Sequence, residues 1–291
     1  MAARHPIIPC SLLPETRARI DAYVEALKQA APTIGTHGLT PQEFQDSGIF
    51  RSAVEQIRGT NAASMAEKRA FMAEVLDHLQ RTNLIRNWAY AGAGERHDYE
   101  VKMPTGRISI IETKGCLDGN NTNIFERPPQ ADEFIIWSLC QNPGSDPAHN
   151  AWSGIHTRLS AEIIHRRQRV DGVVIWDMVC GTAGRPCPKL VAESTRATRI
   201  EGGRSLLPPC LYCFPRTIPD PRSNPTPACW QLADVQILHA LWTGFNGNAA
   251  DVVEVGIEAR IDGVDVQRRT RFFRQGTEIS TSEWTTVRRA H

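Results

Sequence analysis

Up to about residue 85 the apolar positions of this chain recur with helical spacing. "LTPQEF" offers a helix start, with Thr40 as N-cap, Pro41 at the first helical position and Glu43 three residues after the cap. A second capping box, Ser64 with Glu67, opens a helix through "KRAFMAEVLDHLQ", whose core stripe is Phe71, Val75, Leu76 and Leu79. "AYAGAGERH" breaks the pattern, and from residue 97 the period is two.

The alternation predicts a β-hairpin around "PTG". In "RISIIETK", Ile108, Ile110, Glu112 and Lys114 share one strand face, and Ser109, Ile111 and Thr113 the other. A three-residue loop pairs positions whose numbers sum to 210, setting Asp98 opposite Glu112. A two-residue loop slips this by one and makes Glu100 the nearby alternative or additional acid.

Beyond the polar "GCLDGNNTNIFERPPQAD" come the apolar "EFIIWSL", the helix pattern "SGIHTRLSAEIIHRRQRV" with Ile155, Leu159, Ile163 and Ile164 near one face, and the strand-length run "DGVVIWDMV". Strand, helix, strand in that order predicts a crossover, and so an α/β fold with a mixed sheet flanked by helices. The Pro-dense stretch after Cys180 reads as irregular, and order returns in "VVEVGIEARIDGVDVQRRTRFFRQ", where Asp262-Gly263 signals a second hairpin. No linker divides the chain, so 1–291 is expected to be one large domain, with a helical section at 1–90, a central section at 91–180 and a Pro-rich, β-containing section at 181–291.

With 291 residues, 41% of them apolar, the chain can bury a sizeable core. The net charge of +1 restricts any nucleic-acid surface to a local patch. No run approaches the roughly 18 uncharged apolar residues of a membrane span, and no signal-peptide core opens the chain, so a cytoplasmic protein with no membrane partner is expected. Its eight cysteines would then be mostly reduced.

Two carboxylates across a hairpin have Cβ atoms about 5 Å apart and repel unless a positive charge lies between them. A hard divalent cation resolves that conflict, and Mg²⁺ commonly takes one or two protein carboxylates while water and phosphate complete its shell. Lys114, two residues beyond Glu112, shares its face and is positioned to contact a phosphate oxygen or a metal-bound water. The same residues also read as a solvated cross-strand charge cluster.

Asp98 followed by Glu112-Thr113-Lys114 at a strand end resembles the PD-(D/E)XK nuclease superfamily, in particular type II restriction endonucleases, over about residues 66 to 180. "LDGNNTNIFERP" adds to the restriction-enzyme likeness, and His97 stands where the family often has Pro. The resemblance implies a restriction-endonuclease-like core at 91–180, with Asp98, Glu112 and the Thr113 carbonyl on Mg²⁺ (Mn²⁺ as substitute) and Lys114 supporting the attacking water. It further implies hydrolysis of double-stranded DNA to 5′-phosphate ends, and a cognate DNA methyltransferase as functional counterpart. A homodimer is expected from the symmetry of palindromic cutting. Glu74 on the preceding helix is a further candidate acid. The competing readings are a structure-specific repair or recombination nuclease and a non-catalytic DNA-binding protein.

Cys180, Cys187, Cys210 and Cys213 form C-x6-C-x22-C-x2-C, with Cys229 as a fifth thiol. They are candidate ligands of a structural Zn²⁺, although buried reduced thiols are the favoured reading. For DNA contact the candidates are loop residues Arg216 and Arg222 and hairpin residues Arg268, Arg269 and Arg271, whereas Arg166, Arg167 and Arg169 suit a helix C-terminus. His156 and His165 form no metalloprotease motif, and no nucleophile-elbow, Walker or dinucleotide-binding pattern occurs.

Overall fold

Helices α1 (Pro14–Ala30), α2 (Pro41–Ser47) and α3 (Met65–Arg81) precede the first strand in a computed structural model that describes residues 14–31, 38–49, 53, 65–92, 97–114, 126–139, 154–176 and 196–287. The capping box of α2 closes in both directions. Thr40 N–H donates to Glu43 Oε2 at 2.8 Å, and Glu43 N–H to Thr40 Oγ1 at 3.3 Å. Ser64 lies outside the described residues, but the predicted stripe of α3 is in place, with Phe71, Val75, Leu76 and Leu79 fully buried.

The sheet opens with β1 (Asn87–Tyr90), β2 (Tyr99–Lys102), β3 (Ile108–Lys114), β4 (Glu133–Ser138) and β5 (Gly172–Ile175). A two-stranded ribbon follows, β6 (Thr198–Arg199) with β7 (Ser205–Leu206). The main sheet resumes with β8 (Cys210–Cys213), β9 (Val252–Asp262), β10 (Asp265–Arg274), β11 (Thr277–Thr281) and β12 (Thr285–Thr286). Ten strands run in the order β1-β2-β3-β4-β5-β8-β9-β10-β11, with β12 joined to β10. β3, β4 and β5 are mutually parallel, as are β8 and β9, and the other neighbours are antiparallel, so the expected mixed α/β architecture is present.

Strands also fall where none was predicted, β1 and β8 among them. β1 lies in the segment read as the end of the helical section, and β8 lies inside the Pro-dense stretch. Each has four residues, and pairing makes them strands: β1 on β2, β8 between β5 and β9.

Helices cover both faces. On one, α3 and α5 (Gln236–Gly244) meet Tyr99, Val101, Ile111, Trp137, Val174 and Leu211. On the other, Ile155, Leu159 and Ile163 meet Ile110, Ile136, Val173, Tyr212 and Phe272. The helix carrying them opens as a π-helical turn, Ile155–Leu159, before α4 (Ser160–Arg166). The C-terminal hairpin forms as expected around Gly263 and Val264, with Asp262 paired to Asp265. Gly263 takes φ +60° at the first loop position, where a tight hairpin turn favours glycine.

α5 is tied to the sheet by one buried carboxylate. Glu133, at the start of β4, accepts from the N–H groups of Gln236 at 2.7 Å and Ile237 at 3.1 Å and from the Ser109 hydroxyl at 2.7 Å. It thereby satisfies the amides that a helix start leaves open. Glu133→Ala strands these donors in a dry site, so the unfolding free energy measured in urea should fall by about 3 kcal/mol.

Candidate functional site

β3 outruns β2. Register pairs Tyr99 with Ile111, Glu100 with Ile110, Val101 with Ser109 and Lys102 with Ile108, all summing to 210. The Met103 N–H bonds the Arg107 carbonyl at 2.9 Å, enclosing the three-residue loop Pro104-Thr105-Gly106. Glu112, Thr113 and Lys114 therefore project past the first residue of β2, held on their other side by Ile136, Trp137 and Ser138 of β4. Glu100 faces Ile110, and the slipped register in which it was the alternative acid does not form.

Asp98 immediately precedes β2 and replaces the missing strand partner with its side chain. Its Oδ2 accepts from the Thr113 N–H at 2.7 Å and from the Thr113 hydroxyl at 2.5 Å. Lys114 Nζ donates to Glu112 Oε1 at 2.5 Å, with the two side chains only 19% and 13% exposed. Burial raises the Glu112 pKa above the usual carboxylate value and Asp98 repulsion adds to that, while the Lys114 hydrogen bond and charge, and His97, pull it back. His97, buried beside Asp98, stands where the resembled family often has Pro, and its adjacency to Asp98 is the sequence signal for its place in this cluster.

Asp98 and Glu112 thus sit at one strand end with an ammonium beside them, a donor set that suits a hard cation retaining most of its water. Among the described residues no group of three or more His, Cys, Asp and Glu side chains is placed to hold a metal ion. Glu74 is ion-paired to Arg204 at 2.7 Å. Comparison with protein-family models, with curated proteins and with solved structures returns no match for this chain. Among the described residues no helix is long and apolar enough to cross a membrane.

The structure separates the cysteine candidates. Cys180 and Cys187 lie outside the described residues. Cys210 and Cys213 belong to cores on opposite sheet faces, because three positions along a strand reverse the side-chain direction. This pair cannot converge on one zinc ion. Cys213 and the nearby Cys229 are thiols whose pKa burial pushes up to about 12, so both stay protonated.

The arginines divide likewise. Arg268 is buried, and its guanidinium donates to the main-chain carbonyls of His156 and Thr157 in the π-helical turn. Burial draws its pKa down to about 10, which leaves it charged at neutral pH but sealed from any DNA. The neighbouring His156 is held neutral, its pKa lowered to about 4 by burial and then by Arg268. Arg269 and Arg271 both pair with Glu258, at 2.5 and 3.0 Å, and Arg271 also with Glu278. Arg216 bonds Asp234 at 2.9 Å and lies over Trp230. Arg222 is exposed in a turn built on Asp220.

Arg268→Met should therefore lower stability by about 3 kcal/mol, because two buried carbonyls lose their donor. Arg222→Ala should leave the urea midpoint unchanged. Equal unfolding curves for the two variants would place Arg268 at the surface.

Proposed function

We propose that this protein is a Mg²⁺-dependent DNA endonuclease of the type II restriction class. The observation that carries the reading is the meeting of Asp98, Glu112 and Lys114 where β3 runs past its antiparallel partner. The resemblance to the PD-(D/E)XK superfamily gives that grouping its chemistry. Under this reading Asp98 and Glu112, with the Thr113 carbonyl, would hold Mg²⁺ or Mn²⁺, which would supply charge stabilisation to a phosphodiester under in-line attack. Asp98 is oriented for the task by Thr113. Lys114 would orient the attacking water against the phosphate. A restriction-endonuclease-like core, a homodimer on a palindromic duplex and a partner methyltransferase belong to the same proposal.

One observation favours a non-catalytic DNA-binding protein instead. Asp98 and Lys114 each already have a partner within the cluster, as a purely structural charge network would. Cleavage separates the two readings. Incubated with long unmethylated duplex DNA, the protein should give discrete fragments with Mg²⁺ and none with EDTA. Lys114→Ala should lower cleavage by about 100-fold or more while leaving DNA binding in place. Intact DNA in Mg²⁺, or full activity of Lys114→Ala, would remove the nuclease assignment from these residues. Fragments from branched substrates alone would assign the cluster to repair or recombination.

Glu112 also sets a pH dependence. A carboxylate with a raised pKa is neutral below that value and must lose its proton to take a cation, so cation binding and proton release are linked. The rise in melting temperature on adding Mg²⁺ should be largest near pH 8 and shrink as the pH falls through the raised Glu112 pKa. In Glu112→Gln the rise should be lost at every pH.

A further inference from the structure

A recess of about 270 Å³ opens beside β8, β9 and β10, near the start of α5, and shares no residue with the Asp98 and Glu112 site. Its walls include Trp242, Phe273, Leu232, Glu254, Gln231 and Gln275. Pockets for drug-sized ligands begin at about 300 Å³, so this recess suits a single planar ring system.

The aromatic walls are fixed in advance. Trp242 Nε1 donates to the Asn248 carbonyl at 3.1 Å, and its ring lies so close to Gly247 that no side chain fits there. Phe273 packs on Gly256, where a Cβ would stand 3.3 Å from the ring, and the Arg271 guanidinium lies 4.9 Å from the ring centre. Rigid rings bind at little cost in conformational entropy.

The polar wall selects among planar ligands. Glu258, two turns of the pleat along β9, is neutralised by Arg269 and Arg271, whereas Glu254 forms no salt bridge among the described residues, accepts from Gln231 Nε2 at 3.5 Å and otherwise faces the neutral thiols of Cys213 and Cys229. A carboxylate offers two acceptor oxygens side by side. Adenine and cytosine each present one amino donor beside a ring acceptor, and thymine presents one N–H between two acceptors. Guanine presents N1–H and N2–H together, with O6 beside them to accept from a carboxamide.

We propose that this recess binds a guanine base, stacked against Trp242 and Phe273 and held by Glu254 through N1–H and N2–H. The base arrives either on a free guanine nucleotide or unstacked from a DNA strand, and both present the same edge. The inference stands on the recess alone and does not require the metal reading.

The test uses the full chain in EDTA, so that cation-dependent cleavage plays no part. Tryptophan fluorescence and calorimetry follow titration with dGMP, dAMP, dCMP, an oligothymidylate and the same oligomer carrying one guanine. Saturable dGMP binding is expected, with dAMP and dCMP weaker by about tenfold or more. Glu254→Gln should weaken dGMP by about tenfold or more at an unchanged melting temperature. Phe273→Leu, which keeps an apolar wall, should weaken all stacked bases together. A guanine-bearing oligomer that binds more tightly than dGMP identifies a DNA strand as the source, and one that binds no more tightly identifies the nucleotide. Absence of saturable binding by both dGMP and that oligomer overturns the proposal, as does dGMP affinity equal to that of dAMP and unchanged in Glu254→Gln.

Discussion

The burial of two carboxylates, Glu133 and Asp171, each with a side chain only 2% exposed, is the constraint on which this architecture depends. Taking such charges out of water costs several kcal/mol unless every lone pair finds a donor. Glu133 meets two helix amides and a hydroxyl. Asp171 accepts from the Phe134 N–H at 2.8 Å, the Trp230 indole at 3.0 Å and the Arg127 guanidinium at 2.5 Å, with Arg169 at 3.1 Å. Parallel strands lack a tight turn to fix their register, and a slip of one residue would turn every side chain to the wrong face. The carboxylates do the fixing here. Glu133 bonds Ser109, its register partner on β3, and Asp171, just before β5, bonds the backbone of β4.

The antiparallel register of β2 on β3 decides how far β3 runs on beside β4 alone. Had β2 and β3 been equally long, Glu112 and Thr113 would face a partner strand and their backbone would be satisfied by it. Instead Asp98 supplies the missing acceptor to the Thr113 N–H, which draws a second carboxylate to the strand end already occupied by Glu112. The cluster is poised rather than relaxed. Lys114 offsets only part of the cost of holding Glu112 half-buried beside Asp98, and the raised pKa of Glu112 records the remainder. A hard divalent charge is the kind of ligand that would relieve it, which is why the proposed metal chemistry and the local electrostatics point the same way.

Features written in local chemistry were legible in the sequence. The Thr40 and Glu43 capping box, the apolar stripe of α3, the hairpin around Pro104-Thr105-Gly106 and the glycine hairpin at Gly263 all follow from short-range rules, whereas the choice between a two- and a three-residue loop in the first hairpin is made only by the paired strands. What depends on distant partners was not legible. β8 reads as one more Pro-flanked fragment until β5 and β9 pair with it, and C-x2-C leaves a chelate open beside the favoured buried thiols until those positions prove to be a strand. Arg268 was misread although the pattern held its signal. In "QRRTRFF" the positions 268, 270 and 272 alternate with 267, 269, 271 and 273, so burial of Phe272 carries Arg268 inward with it. The residues of Glu133 and Asp171 were visible in the sequence, but nothing local marks an acid as the centre of a buried network.

The sheet also sets the relation between the two acidic places on this molecule. Glu112, Ile136, Val173, Tyr212 and Val253 are successive register partners from β3 to β9, and they lie along one face. Glu254 follows Val253 and therefore points to the opposite face. β4, β5 and β8 stand between, and four interstrand spacings of about 4.8 Å separate the carboxylates by about 19 Å across the sheet. Repulsion over that distance is largely screened at physiological salt, and substitutions so far apart with no shared partner act additively. A charge change at Glu254 therefore leaves the balance among Asp98, Glu112 and Lys114 as it was. A mononucleotide seated against Glu254 is likewise too short to reach the end of β3, so a ligand that engages both places must be a strand several nucleotides long that passes around the sheet.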